Sequence, residues 1–184
     1  DNKKDAKVFA KAILHNSERL SLMVSDLIDL SRIEYGDLKL NIVPIDLDSF
    51  IEPFILSMES LTKKKGINLT SKPAHKTKIN ADVQAIERIL TNMIDNAFKY
   101  SPDESFIEIS TKQEDNNVRV MISDNGIGIS DADKGHIFDR FYRAASARAS
   151  HNKGSGLGLA IVKNLVNSLN GEVGVSSGSP EGST

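Results

Sequence analysis

Asp124-Asn-Gly126-Ile-Gly128-Ile-Ser130 and, about two dozen residues later, Gly154-Ser155-Gly156-Leu157-Gly158-Leu159 combine residue types that can hold a phosphorylated ligand. Glycine lets a backbone approach a phosphate or a base edge without an intervening Cβ, and it supplies the positive φ that tight turns require. The first turn is opened by a carboxylate. The second runs into an apolar helical pattern, where free N–H groups and the helix dipole favour an anion. The ligand these turns suit is a nucleoside triphosphate. Other phosphate loops fail on spacing, because no segment supplies Gly, four residues, Gly-Lys and a hydroxyl residue, and neither glycine run follows a strand with Gly-x-Gly-x-x-Gly spacing. The catalytic and metal-binding motifs of eukaryotic-type protein kinases are missing too.

These turns need an element to stand against, and Asp82 to Tyr100 provides one. Val83, Ile86, Ile89, Leu90, Met93, Ile94 and Ala97 recur at helical spacing, and Asp82 stands where a cap belongs. Asn92, Asn96 and Lys99 lie three or four residues apart, so they form a single polar row beside the buried stripe. Asparagine is a mediocre helix former, and two in one row suggest a task beyond helix formation. An amide oxygen can ligate magnesium, and a lysine can offset phosphate charge.

With these residues in place the chain resembles the sensor histidine kinases. Asn92-Met-Ile-Asp-Asn96-Ala-Phe-Lys99-Tyr100 is similar to that family's N box and Asp124-Asn-Gly126-Ile-Gly128 to its G1 box. Ile137-Phe138-Asp-Arg140-Phe141-Tyr142-Arg143 is similar to the F box and Gly154-Ser155-Gly156-Leu157-Gly158-Leu159 to the G2 box, all in the family's order. Upstream, Leu27-Ile-Asp-Leu-Ser-Arg-Ile-Glu34 resembles the end of the second dimerisation helix.

The resemblance implies a Bergerat-type ATP site with ATP and Mg²⁺ as its ligands. Asn96 is implied as the magnesium ligand, and Asn92, one turn earlier, as the residue positioning the metal or its waters. Asp124 is implied as acceptor of the adenine amino group. Lys99 and Arg143 are the candidates for neutralising phosphate, and Tyr100 for contact with base or ribose. Gly126, Gly128, Gly154, Gly156 and Gly158 would shape the walls, with Ser155 and Leu157 lying in the second turn. Phe138 and Phe141 are expected to anchor a lid over about 130–153. The centre of that lid, small, polar and basic, is expected to vary in conformation without nucleotide.

Composition sets outer bounds. The chain has 184 residues, 39% of them hydrophobic, which suffices for one substantial core. A net charge of −2 gives no whole-chain attraction to nucleic acid or anionic membrane, and no partner of either kind is expected for these residues. With no cysteine there are neither disulfides nor thiolate metal sites, which fits a reducing compartment. No run approaches the ~20 apolar residues of a membrane span. A cytoplasmic, bacterial setting is expected, with the parent protein anchored in the inner membrane or not.

The elements follow from periodicity. From about Asp5 to Tyr35, Phe9, Ile13, Asn16, Leu20, Met23, Leu27 and Leu30 alternate steps of four and three, the seam of helices packed side by side. Such a helix would overhang a domain of this size, so it is expected to pack on a partner, and Gly36 ends it. Leu38 to Ile42 alternates like a strand interrupted by Pro44. A helix is predicted over Leu47–Lys65 between Asp46 and Gly66, and strands over Ile67–Ser71 and Lys78–Ala81. Phe106–Thr111 and Val118–Ser123 read as a hairpin, Gly156–Leu169 as the last helix, and Glu172–Ser176 as a final strand. The expected fold class is α+β: an α/β sandwich, a mixed sheet covered by helices on one face, preceded by the long helix. Residues 1–36 would be the second helix of a dimerisation and histidine-phosphotransfer hairpin, and 37–184 the ATP-binding domain.

One family feature is missing. The phosphoacceptor motif, of the form His-Glu-Leu-Arg-Thr-Pro-Leu, does not occur, and His15, His75, His136 and His151 lack its setting. The chain therefore reads as a fragment of a longer protein, lacking the first dimerisation helix. In the intact protein the resemblance implies phosphorylation of a histidine on that helix, transfer to an aspartate of a response regulator receiver domain, and a homodimer built through the hairpin. Two other readings remain open: a nucleotide-binding interaction module without kinase activity, and a related serine kinase acting on a partner protein.

Overall fold

A computed structural model describes residues 2–72, 74, 77–145, 154–176 and 182–184. Helix α1 (Asn2–Glu34) opens the chain and stops as predicted at Gly36, whose φ of +73° suits glycine. Strand β1 (Val43–Asp46) leads directly into α2 (Leu47–Lys65), with Asp46 accepting from the Ser49 N–H and Gly66 closing the C-terminal end in the left-handed conformation. Strands β2 (Asn68–Lys72) and β3 (Lys78–Ala81) precede α3 (Val83–Tyr100). The β4 (Phe106–Glu114) and β5 (Asn117–Asp124) hairpin follows, then the short α4 (Asp131–Lys134) and finally α5 (Gly158–Ser168).

Hydrogen bonding divides the strands into two sheets. β2 runs parallel to β4, which pairs antiparallel with β5, while β1 and β3 form a separate antiparallel pair. Along β4, Ile107, Ile109 and Thr111 are buried and the intervening residues are not, so one face of the larger sheet meets the helices. That is the predicted α+β sandwich. Ile51 and Phe54 of α2, and Leu90 and Ile94 of α3, pack there against Ile109 and Ile122. A second core cluster lies on another side of α3, where Ala85 and Ile89 meet Leu157, Ile161 and Leu165 of the α5 region.

Two sequence expectations need correction. The strand predicted over Leu38–Ile42 lies instead at Val43–Asp46 and includes Pro44. Among the described residues β1 pairs only with β3, which makes it an edge strand, a place where a proline without an N–H can sit. The Asn41 N–H is taken by the Asp82 carboxylate at 2.7 Å rather than by a strand. Glu172–Ser176 is also not a strand. Ser176 alone exchanges backbone bonds with Thr184, at 2.8 and 3.1 Å, while Ser183 bridges to Asp124 on the free edge of β5.

Helix α1 is docked only near its C-terminal end. Leu30 is 2% exposed within the second cluster and Ile33 packs beside it, whereas Val8 and Phe9 are 66% and 68% exposed. Arg88 of α3 adds ion pairs to Asp26 at 2.5 Å and to Asp29 at 3.6 Å. No helix among the described residues is long and apolar enough to cross a membrane.

Leu30→Ala should lower the unfolding free energy by about 2–4 kcal/mol in urea titrations, the usual cost of emptying a buried leucine site; a loss well under about 1 kcal/mol would show that α1 is not docked. Asp82 caps α3 through the Ala85 N–H at 2.9 Å, and the Ala85 and Asn41 N–H groups hold its carboxyl below the usual range. Its contribution is therefore fully present above the unfolded pKa of about 3.9 and is lost as pH falls through the lower folded value. Asp82→Ala should cost about 1 kcal/mol at neutral pH, and the gap from the parent chain should close on acidification; a gap independent of pH would contradict the capping role.

Candidate functional site

Because α3 buries residues on two sides, its remaining polar row has one place to go. Asn92, Asn96 and Lys99, with Tyr100 at the end of the helix, line a cavity of about 360 Å³. Asp124 and Gly128 from the turn after β5 line it too, as do Gly154, Ser155, Gly156 and Gly158 from the second glycine turn and Arg143 from the segment between. The structure thus brings most of the predicted residues to one opening.

Asp124 is held from two directions. One carboxylate oxygen accepts the Gly126 N–H at 2.8 Å and the other accepts the Ser183 hydroxyl at 2.6 Å. Gly126 itself is buried and does not line the cavity; a Cβ there would stand 2.6 Å from the Tyr100 carbonyl oxygen and 2.8 Å from the Asp124 carboxylate. Its role is therefore close approach, pressing the turn against the end of α3, where the Ile127 N–H also bonds to the Tyr100 carbonyl.

The second glycine turn is shaped by neighbouring chain. Gly156, at φ +74°, passes so near the Phe141 backbone that a Cβ would lie 2.8 Å from it, and the Phe141 N–H bonds to the Gly156 carbonyl. Gly158 leaves room for the Asn92 side chain, whose amide oxygen would be 2.9 Å from a Cβ there. Asn92 donates its amide N–H to the Arg88 carbonyl at 2.8 Å, which leaves that oxygen facing the glycine turn. The Asn96 amide has no hydrogen-bond partner among the described residues, and it opens on the cavity. Leu157 is fully buried in the second cluster and supplies packing rather than cavity surface.

Between the turns, Ser130 caps α4, and the Tyr142 hydroxyl donates to Asp133 at 2.6 Å. Phe138 lines the cavity, but the Phe141 side chain is 62% exposed, so only the first of these phenylalanines faces inward. The expected lid centre at 146–153 lies outside the described residues, as do His75 and His151.

Sequence reasoning missed the contribution of α1. Leu22, Met23 and Asp26 line the cavity, beside Arg88, Lys99 and Ser155. Burial pushes the Asp26 carboxyl above the usual range, against the downward pull of Arg88. The only sequence signal was an acid lying between the apolar seam positions Met23 and Leu27.

Residues 81–184 match the model of the family described as histidine kinase-, DNA gyrase B-, and HSP90-like ATPase. Along its whole length the chain is 32% identical to the sensor-like histidine kinase SenX3 of Mycobacterium tuberculosis, of which it covers 45%. It is likewise 32% identical to the sensor histidine kinase WalK of Bacillus subtilis, covering all of this chain and 30% of that one. The chain therefore spans less than half the length of these curated relatives. The structure of the histidine kinase AdeS of Acinetobacter baumannii superposes with a TM-score of 0.78 at 28% identity, over 96% of this chain and 80% of that one.

Gly126→Ala should destabilise the chain by about 1–3 kcal/mol, as overpacking against backbone does, whereas Gly135→Ala, with nothing within 4 Å of its added methyl, should leave stability nearly unchanged. Equal urea midpoints for the two variants would show that the turn after β5 does not press on α3.

Proposed function

This chain belongs to the histidine kinase-, DNA gyrase B-, and HSP90-like ATPase family, and on that premise we propose that its cavity takes Mg-ATP as the catalytic part of a sensor histidine kinase. The observation that carries the reading is the convergence on one cavity of the α3 amide and ammonium groups, a doubly held carboxylate and two glycine turns.

Asp124 is proposed to read the base. With both oxygens already oriented by N–H and O–H donors, its remaining lone pairs can accept the adenine amino group. Guanine would present a carbonyl oxygen instead, setting acceptor against acceptor at a cost of a few kcal/mol. Tyr100, whose hydroxyl lies 4.0 Å from a Cβ built on Gly154, closes the pocket toward base or ribose. Lys99 and Arg143 would face phosphate, and Gly154 to Gly158 would let the backbone come near it.

The donor set also suits magnesium: a neutral amide oxygen at Asn96 without another partner, next to phosphate oxygens, is the kind of ligand Mg²⁺ accepts while keeping several waters. Bound there, the ion would offset negative charge on the phosphates. The chain's own part is positioning and electrostatics, with Asn92 fixed by the Arg88 carbonyl and the basic groups set around the phosphates.

In the intact protein, the terminal phosphoryl group would leave the β-phosphate oxygen of ATP as a histidine nitrogen on a further helix forms the new P–N bond. An aspartate of a response regulator receiver domain would accept it next. The exposed seam of α1, with Phe9 and Ile13 open, fits a homodimer through a helical hairpin, and a cytoplasmic setting suits ATP as substrate.

In calorimetry the chain should bind Mg-ATP well and GTP at least about tenfold more weakly. Asn96→Ala should weaken ATP binding chiefly when Mg²⁺ is present, and Asp124→Asn should weaken ATP while narrowing the preference over GTP. A folded chain that binds neither nucleotide would favour an interaction module instead.

A further inference from the structure

The cavity already contains an anion belonging to the protein. The Asp26 carboxylate from α1 meets the Arg88 guanidinium at 2.5 Å, and its side chain is 17% exposed. Lys99 from α3 and Ser155 from the turn leading into α5 line the same cavity as Asp26, and both favour the charged form of its carboxyl. A guanidinium, an ammonium and a hydroxyl ahead of a helix are donors suited to a phosphate. Two of them, Lys99 and Ser155, belong to the nucleotide site proposed above, on which this inference rests.

We propose that Asp26 is an internal competitor for the phosphate-binding groups, so that a nucleotide phosphate and the Leu22–Asp26 stretch of α1 cannot occupy the cavity together. A triphosphate adjoining a desolvated carboxylate sets like charges together in a partly buried space, where screening is weak. Asp26 is also a poorly settled anion. Asp29 lies on the same helix near the same guanidinium, and burial outweighs Arg88 in setting the Asp26 carboxyl. A more highly charged ligand can therefore displace it.

The displacement has a pivot. Leu30 stays buried one turn further on with the partly buried Ile33 packed beside it, so α1 can swing away above Leu30 without leaving the domain. The segment that moves carries the exposed apolar positions from Val8 to Leu27. Phosphate in the cavity thereby changes where the α1 seam stands relative to the ATP-binding domain.

Calorimetry on this chain, Asp26→Asn and Asp29→Asn, with Mg-ATP and with adenosine, tests the competition, and hydrogen exchange along α1 with and without Mg-ATP tests the displacement. Asp26→Asn should tighten Mg-ATP binding by roughly three- to tenfold, the worth of a partly buried charge interaction, while adenosine binding stays unchanged and Asp29→Asn has the smaller effect. Mg-ATP should speed exchange across residues 20–28 and spare Leu30. Mg-ATP binding that is equal or weaker in a folded Asp26→Asn chain overturns the competition and leaves the ATP site standing. Should that variant not fold, exchange across 20–28 in the parent chain that is unchanged or slowed by Mg-ATP overturns it equally. Failure of both ATP and adenosine to bind the parent chain removes the ATP site, and the competition with it.

Discussion

Helix α3 is the constraint on which the rest depends. Leu90, Ile94 and Ala97 commit one side of it to the sheet and α2, while Ala85 and Ile89 commit another to α5 and the end of α1. A helix buried on two sides cannot rotate without opening two cores at once. The arc left over is narrow, and it bears Asn92, Asn96 and Lys99. Their direction is thus set by leucine and isoleucine elsewhere on the helix, which is how an apolar pattern fixes the geometry of polar chemistry.

The glycines serve this helix more than they serve flexibility. Gly126 brings one turn onto the carbonyl at its end, and Gly158 makes space for the Asn92 amide on its flank. Gly156 packs backbone on backbone against Phe141. In each place the missing side chain is replaced by protein atoms, so the cavity walls are tight even though their sequence looks permissive.

Much of this was legible beforehand because it is local. Capping residues, the α3 stripe, the β4–β5 hairpin and the two glycine turns each declare themselves within a short window, and the α+β architecture follows from their order. The misjudged pieces depend on distant partners. β1 could include Pro44 because β3 pairs on one side only, and among the described residues the β5 edge is met by Ser183 rather than by Glu172–Ser176, which reaches Thr184 through Ser176. Leu157, flanked by glycines in a ligand-like motif, faces the core because the motif is already turning into α5. Asp26 could not have been found by spacing: its partner Arg88 and its cavity neighbours Lys99 and Ser155 lie far along the chain, and only the docking of α1 brings them to it.

The bond from Ser183 to Asp124 splits the orientation of one carboxylate between two scales of chain. The Gly126 N–H, two residues away, sets one oxygen as the turn itself forms. The other oxygen is set by a hydroxyl 59 residues further on, a contact that closes a long loop. Fraying of the 182–184 stretch would therefore release one oxygen of Asp124 while leaving the local bond and both cores intact.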